Sequence, residues 1–288
     1  LIERKKIMNP YIEIIRPGNV IMALIAVILI AIINLNFTIP LVLAIVVVFF
    51  ATSAGNVIND YFDYNIDAVN RPDRVLPSGR ISKKAGRNYG YFLFAGAIAT
   101  ELISYFITKN IIPLIIVIFA VIILYLYARV FKTAPFIGNL IVAFTTGLTF
   151  VFAGYTINNP HIILVSWYLG FFAFAMTLAR EITKDIEDYK GDKKEGANTL
   201  PIKFGKKPSA ILAFLLIIIT TALCPILYLN HIFSIYYLVI IAIAVIIFLY
   251  SAVLILKSQS PENCHKVSKN LKIGMLIAFV SFVFGALL

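Results

Sequence analysis

Acidic side chains are scarce in this 288-residue chain: Asp and Glu together number 14, and only 14% of all residues are charged. Soluble globular domains carry about 25% charged residues, so an ordinary water-soluble fold is excluded. Cysteine is nearly missing. Cys224 and Cys264 alone make no disulfide framework and share no metal-binding spacing with histidine, so they read as isolated thiols. The three histidines, His161, His231 and His265, fall in expected loops and suggest no acid–base cluster. What the chain has instead is apolar length: 61% of it is hydrophobic. A helix needs about 20 apolar residues to span a bilayer, which leaves room for eight to ten spans and no separate soluble domain. The start, Leu-Ile-Glu-Arg-Lys-Lys, is charged, and no small-residue cleavage site follows the first apolar run, so no secretory signal is expected. Met8 is a plausible natural start, with residues 1–7 an upstream remnant and one transmembrane domain over 8–288.

Hydropathy and turn residues predict an all-α protein of nine transmembrane helices, at about 17–34, 39–64, 84–108, 111–130, 137–156, 162–187, 208–229, 233–257 and 269–288. Breaks fall at Asn34-Leu35-Asn36, Lys109-Asn110, Asn158-Asn159-Pro160 and Asn230-His231. The net charge of +11 first suggests a nucleic-acid partner. Its placement says otherwise: every Lys and Arg except Lys109 falls on the N-terminal segment or on connections after even-numbered spans. The positive-inside rule then puts the N-terminus and those connections in the cytoplasm, and topology accounts for the charge without nucleic acid.

The few acidic residues are not scattered. Asp-x-x-Asp-x-x-x-Asp occurs at Asp60, Asp63 and Asp67 and again at Asp185, Asp188 and Asp192. Both copies lie at expected cytoplasmic helix ends, with four spans between them, so both can face one compartment and each other. Positions i, i+3 and i+7 share a helix face. Asn56 and Asn59 extend the first polar stripe inward, and Glu181 extends the second. Three like charges on one face are costly without a cation, and magnesium prefers carboxylate oxygens shared with substrate phosphates. A solvated helix end is the plainer reading of either cluster alone; the repeated spacing argues against it. Each motif runs into a basic, glycine-containing loop that reaches Leu-Pro, at Leu76-Pro77 and Leu200-Pro201. Lys and Arg there can complete the neutralisation of a diphosphate, or serve topology alone. Arg71 and Lys184 are the favoured phosphate ligands. Tyr125 and Lys132, in the connection after the fourth span, suit either substrate contact or interfacial anchoring. Glu101, inside the third span, is a polar contact with no nameable partner, or an interface-seeking side chain.

Asn59-Asp60-Tyr-Phe-Asp63-Tyr-Asn-Ile-Asp67, followed by Arg71-Pro-Asp-Arg-Val-Leu-Pro-Ser-Gly79, together with Asp185-Ile-Glu-Asp188-Tyr-Lys-Gly-Asp192, resembles the paired signature of the UbiA superfamily of intramembrane prenyltransferases. The resemblance implies nine helices ringing a central cavity capped by the two motif loops. It implies Mg2+ at Asn59 and the six aspartates, those aspartates being catalytic, a prenyl diphosphate donor and an acceptor carrying a nucleophile. Asn56, Arg71, Tyr125, Lys132, Glu181 and Lys184 become candidate substrate-binding residues. Within the superfamily, Arg180-Glu181-Ile-Thr-Lys184-Asp185 and Gly196-Ala-Asn-Thr-Leu-Pro201 are similar to members that build archaeal ether lipids. The reaction implied is geranylgeranyl transfer from geranylgeranyl diphosphate to geranylgeranylglyceryl phosphate. An aromatic acceptor of quinone synthesis is the alternative. A cation transporter is a more distant one, disfavoured because transporters put ionisable groups at mid-membrane on broken helices. A CDP-alcohol phosphotransferase would need Asp-Gly and Ala-Arg within the acidic cluster, and neither is there.

Overall fold

The computed structural model describes residues 8–35, 37–194 and 196–288; the expectation for residues 1–7 and the last residue of the Asn34–Asn36 break lie outside these. Among the described residues the chain is helical and holds no strand. In order the helices are α1 (Pro10–Ile14), α2 (Pro17–Ile33), α3 (Ile39–Phe62), α4 (Tyr64–Asn70), α5 (Lys83–Thr108), α6 (Ile111–Arg129), α7 (Ile137–Ile157), α8 (Pro160–Glu187), α9 (Tyr189–Lys194), α10 (Leu200–Phe204), α11 (Lys206–Leu223), α12 (Ile226–Leu229), α13 (Ile235–Lys257) and α14 (Pro261–Leu287). Among the described residues eight long elements are apolar enough to cross a membrane, with α11 and α12 taken together, and α2 is a shorter apolar helix. At 1.5 Å per residue its 17 residues reach about 26 Å, close to a hydrocarbon core. The protein is an all-α, multi-pass membrane protein.

Local chemistry sets the boundaries. Left-handed residues stand at Leu35, Lys109, Asn158 and His231, inside the four expected breaks. Asn110, Asn159 and Ser260 cap α6, α8 and α14 by accepting amide N–H bonds, and Pro160 and Pro261 occupy first-turn positions that need no N–H. Three boundaries correct the sequence reading. The expected 208–229 helix is interrupted at Pro225, which lacks an amide donor and crowds the preceding turn. The last helix begins at Pro261, not near 269: its first turns are amphipathic, burying Cys264, Val267, Ser268 and Leu271. The first motif's helix ends at Phe62 rather than 64, and it and the second, which ends at Glu187 as expected, restart as α4 and α9.

The helices sort into two compact units, one holding the chain up to Ile28 and from Thr38 to Val130, the other Leu29–Phe37 and Phe131–Leu288. In the first, α3 packs on α5 and α6. A Cβ on Gly90 would lie 2.6 Å from Ile58 Cδ1, so the bare backbone sets the α3–α5 spacing there. In the second, α7 and α8 cross at Gly147 and Gly170, where a Cβ on Gly147 would stand 2.5 Å from the Gly170 carbonyl oxygen. Small residues at crossings are how membrane helices approach closely, since lipid supplies no hydrophobic drive. Buried Thr156, Thr183 and Thr221 satisfy their hydroxyls on carbonyls four residues back.

Candidate active site

Both motifs are built as the same helix junction. Asp63 ends α3 with φ −76° and ψ −4°, and Asp188 ends α8 with φ −83° and ψ 0°. The Asp63 amide donates to the Asn59 carbonyl and the Asp188 amide to the Lys184 carbonyl, each at 2.9 Å. The Asp67 and Asp192 amides then donate to the Asp63 and Asp188 carbonyls at 2.8 and 3.0 Å. The helical ladder thus continues through a bend at the middle aspartate.

The likeness extends outward. Tyr64 and Tyr189 follow the middle aspartates. The first residue of the next long helix, Lys83 on α5 and Lys206 on α11, holds its ammonium 4.6 Å from the corresponding ring centroid, a cation–π contact. Leu76 and Leu200, which precede the loop prolines, are both buried. Upstream, α2 opens Pro17-Gly18-Asn19 and α7 opens Ile137-Gly138-Asn139, and the residue before each helix is left-handed, at Arg16 (φ 55°) and Phe136 (φ 68°). A side chain held there costs on the order of 1 kcal/mol, and such strain gathers at functional positions.

In the first unit Asp60, Asp63 and Asp67 are each only 6% exposed. Arg16 pairs with Asp60, and Arg74 reaches Asp67 at 2.6 Å and Asp60 at 3.5 Å. Asp63 accepts the Asn59 side-chain amide at 3.0 Å. The three carboxylates therefore divide, two toward arginine and one toward Asn59. Among the described residues no group of three acidic, histidine or cysteine side chains encloses a metal site. The donor set still suits a hard cation. It is all oxygen, and Asn59 Oδ1 is buried with no hydrogen-bond partner, an acceptor left for a ligand. Mg2+ takes one or two carboxylates and fills its shell with water and phosphate, which matches such a divided set.

Both arginines are held in place by their own segments. Ile14 and Ile15 bury beside Arg16, and Val75 and Leu76 beside Arg74. Arg80 clamps Glu13 through both guanidinium nitrogens, at 2.6 and 2.8 Å, and donates to the Asp73 carbonyl at 3.0 Å, tying α1 to the motif loop. The same guanidinium holds the Glu13 carboxyl below its ordinary pKa.

The other sequence candidates divide. Asn56 donates to the Ile15 carbonyl at 2.8 Å, fastening α3 to the segment before α2. Arg71 is an exposed cap of α4, and no ion pair joins it to an aspartate among the described residues; Arg74 takes that place. Tyr125 packs against Phe62, the residue before Asp63, with ring centroids 5.8 Å apart, and tilts against Tyr91. Lys132 lies exposed in a 3-10 turn, Phe131–Thr133. In the second unit Asp185 accepts the Asn139 side-chain amide at 2.6 Å. Asp188 is exposed, and Asp192 half-buried on α9. Glu181 is bonded to Arg180 at 2.9 Å and Lys184 at 3.3 Å, so Glu181 and Lys184 face each other. Sequence reasoning missed Arg16, Arg74, Lys83 and Asn139. The lysine and the arginines were absorbed into topology; the Gly-Asn that opens both α2 and α7 was a usable signal for Asn139.

The paired aspartate junctions stand on apolar helices of a multi-pass membrane protein, and comparison with known proteins gives the family. Residues 19–283 match the UbiA prenyltransferase family, and the chain belongs to it; it is a prenyltransferase. It is 59% identical over 278 residues to digeranylgeranylglyceryl phosphate synthase of Methanobrevibacter smithii, covering 96% of this chain and 98% of that one. A solved structure of digeranylgeranylglyceryl phosphate synthase superposes with TM-score 0.84 at 40% identity, covering 96% of this chain and 97% of that one. A UbiA homologue from Archaeoglobus fulgidus, bound to DMAPP and Mg2+, shares the fold at TM-score 0.67 and 21% identity, over 96% of this chain and 97% of that one.

Proposed function

We propose that this prenyltransferase moves a geranylgeranyl group from geranylgeranyl diphosphate to geranylgeranylglyceryl phosphate, building an archaeal ether lipid. The repeated aspartate junction carries the reading: two motifs of one design, each with a basic loop, suit a ligand with two phosphates. Near-full-length similarity to synthases named for this product supports the acceptor over an aromatic ring. Residues 8–288 act as one catalytic domain. The placement of Lys and Arg supports an active site and N-terminus on the cytoplasmic side of the cell membrane.

Asn59, Asp60, Asp63 and Asp67 would hold Mg2+ on the first motif, and Asp185, Asp188 and Asp192 on the second. Bound there, Mg2+ would act as a Lewis acid on the diphosphate oxygens. The remaining chemistry belongs to side chains. Arg74 and Lys184 supply positive charge to the leaving group. Phe62, Tyr91 and Tyr125 form an aromatic cluster beside Asp63. Their faces stabilise positive charge on the allylic carbon as the C–O bond opens, and the surrounding apolar side chains keep water from it. The acceptor hydroxyl attacks that carbon and loses its proton, and pyrophosphate departs. Product mass spectrometry after incubation with geranylgeranyl diphosphate and a panel of acceptors tests this. Prenylation of geranylgeranylglyceryl phosphate supports it; prenylation of 4-hydroxybenzoate or dihydroxynaphthoate instead overturns the acceptor assignment.

A further inference from the structure

The two motifs share a backbone but differ at two basic positions. Asp60 and Asp185 are the first aspartates of their motifs, and both are approached from the start of the preceding long helix. Arg16, left-handed and just ahead of α2, pairs with Asp60. The residue in the same place ahead of α7, also left-handed, is Phe136, which has no charge to offer. The neutral amide of Asn139 meets Asp185 instead. Counting back from Leu76-Pro77 and Leu200-Pro201, Arg74 corresponds to Asn198, again uncharged. Two guanidiniums thus occupy Asp60 and Asp67, and their places are neutral in the second repeat.

A cation entering the first motif must displace those guanidiniums from buried carboxylates. Displaced alone, Arg16 and Arg74 would face a divalent charge at close range, with their own partners taken. A diphosphate resolves this, because its oxygens accept the same forked N–H donors that the carboxylates release. We propose that the first motif binds its divalent cation only together with a diphosphate, with Arg16 and Arg74 passing from Asp60 and Asp67 to the phosphate oxygens. The proposal rests on the reading that these motifs hold divalent cations, and adds an order of loading. Arg16 is a positioning residue that links donor binding to cation binding.

The test is Mn2+ titration of the full chain in detergent, followed by electron paramagnetic resonance, with and without inorganic pyrophosphate and corrected for their complex in solution. An Asp188→Ala background isolates the first motif. In that background pyrophosphate is expected to tighten Mn2+ binding by tenfold or more. Asp63→Ala should abolish this pyrophosphate-dependent binding, which places it at the first motif. Adding Arg16→Gln should strengthen Mn2+ binding in the absence of pyrophosphate by about tenfold, or 1.4 kcal/mol. Arg16→Lys, which keeps the charge and guards against misfolding, should return toward the Arg16 value. Equal Mn2+ affinity with and without pyrophosphate in the background protein, or no change on Arg16→Gln, overturns the ordered loading while leaving the cation sites standing. Absence of any Mn2+ binding to the unmutated protein overturns the cation sites themselves, and the ordering with them.

Discussion

Asn139, at the start of α7, donates its side-chain amide to Asp185 Oδ2 on α8 at 2.6 Å. The bond fixes which way the first carboxylate of the second motif points and leaves its other oxygen for a ligand. Outer partners of ligating groups cost about 10–100-fold in activity or metal affinity when removed. Asn139→Ala is therefore expected to lower kcat/KM for the prenyl diphosphate within that range and to raise the Mg2+ concentration giving half-maximal rate. Steady-state kinetics at varied Mg2+ check both; an unchanged Mg2+ dependence contradicts the role.

Gly147→Ala tests the α7–α8 crossing that holds Asn139 opposite Asp185. The new methyl would press on the Gly170 carbonyl, a backbone atom that cannot rotate away. Overpacking of this kind costs about 1–3 kcal/mol, to be read as a lowered unfolding midpoint in detergent. Gly18→Ala, with no atom within 4 Å of the added carbon, serves as the control and is expected to leave that midpoint near wild type.

The Glu13–Arg80 clamp makes an acid-sensitive strap on the segment that carries Arg16. Arg80 lowers the Glu13 pKa from its ordinary 4.5. The clamp's contribution is thus fully present above about pH 4.5 and fades as pH falls through the lowered value. A spin label at Ile12→Cys, an exposed position on α1, should gain mobility only below pH 4.5. With Glu13→Gln the label should be mobile at every pH. Equal mobility in the two proteins at pH 7 would show that the clamp does not restrain α1.

Much of this was readable from residue order. The six aspartates stood out because acids are few, and Asn110, Asn159-Pro160 and His231 marked helix breaks that the backbone confirms with caps and left-handed residues. Arg16 and Arg74 were hidden because a basic residue at a membrane edge satisfies topology wherever it points. Only the buried Ile14, Ile15, Val75 and Leu76 reveal that both are held toward the carboxylates. The single helix face expected for each motif is bent at Asp63 and Asp188, where ψ is near 0°. Periodicity alone carries no record of such a bend. Pro225 breaks the expected 208–229 helix from within an apolar run, which hydropathy does not register.

The most direct measurement is product formation by Asp63→Ala and Asp188→Ala, the two junction residues, with geranylgeranyl diphosphate, geranylgeranylglyceryl phosphate and saturating Mg2+. Removing either is expected to reduce turnover at least 100-fold, about 2.7 kcal/mol or more of barrier, while detergent stability stays near wild type. Wild-type turnover by either folded variant would contradict the shared role of the two motifs.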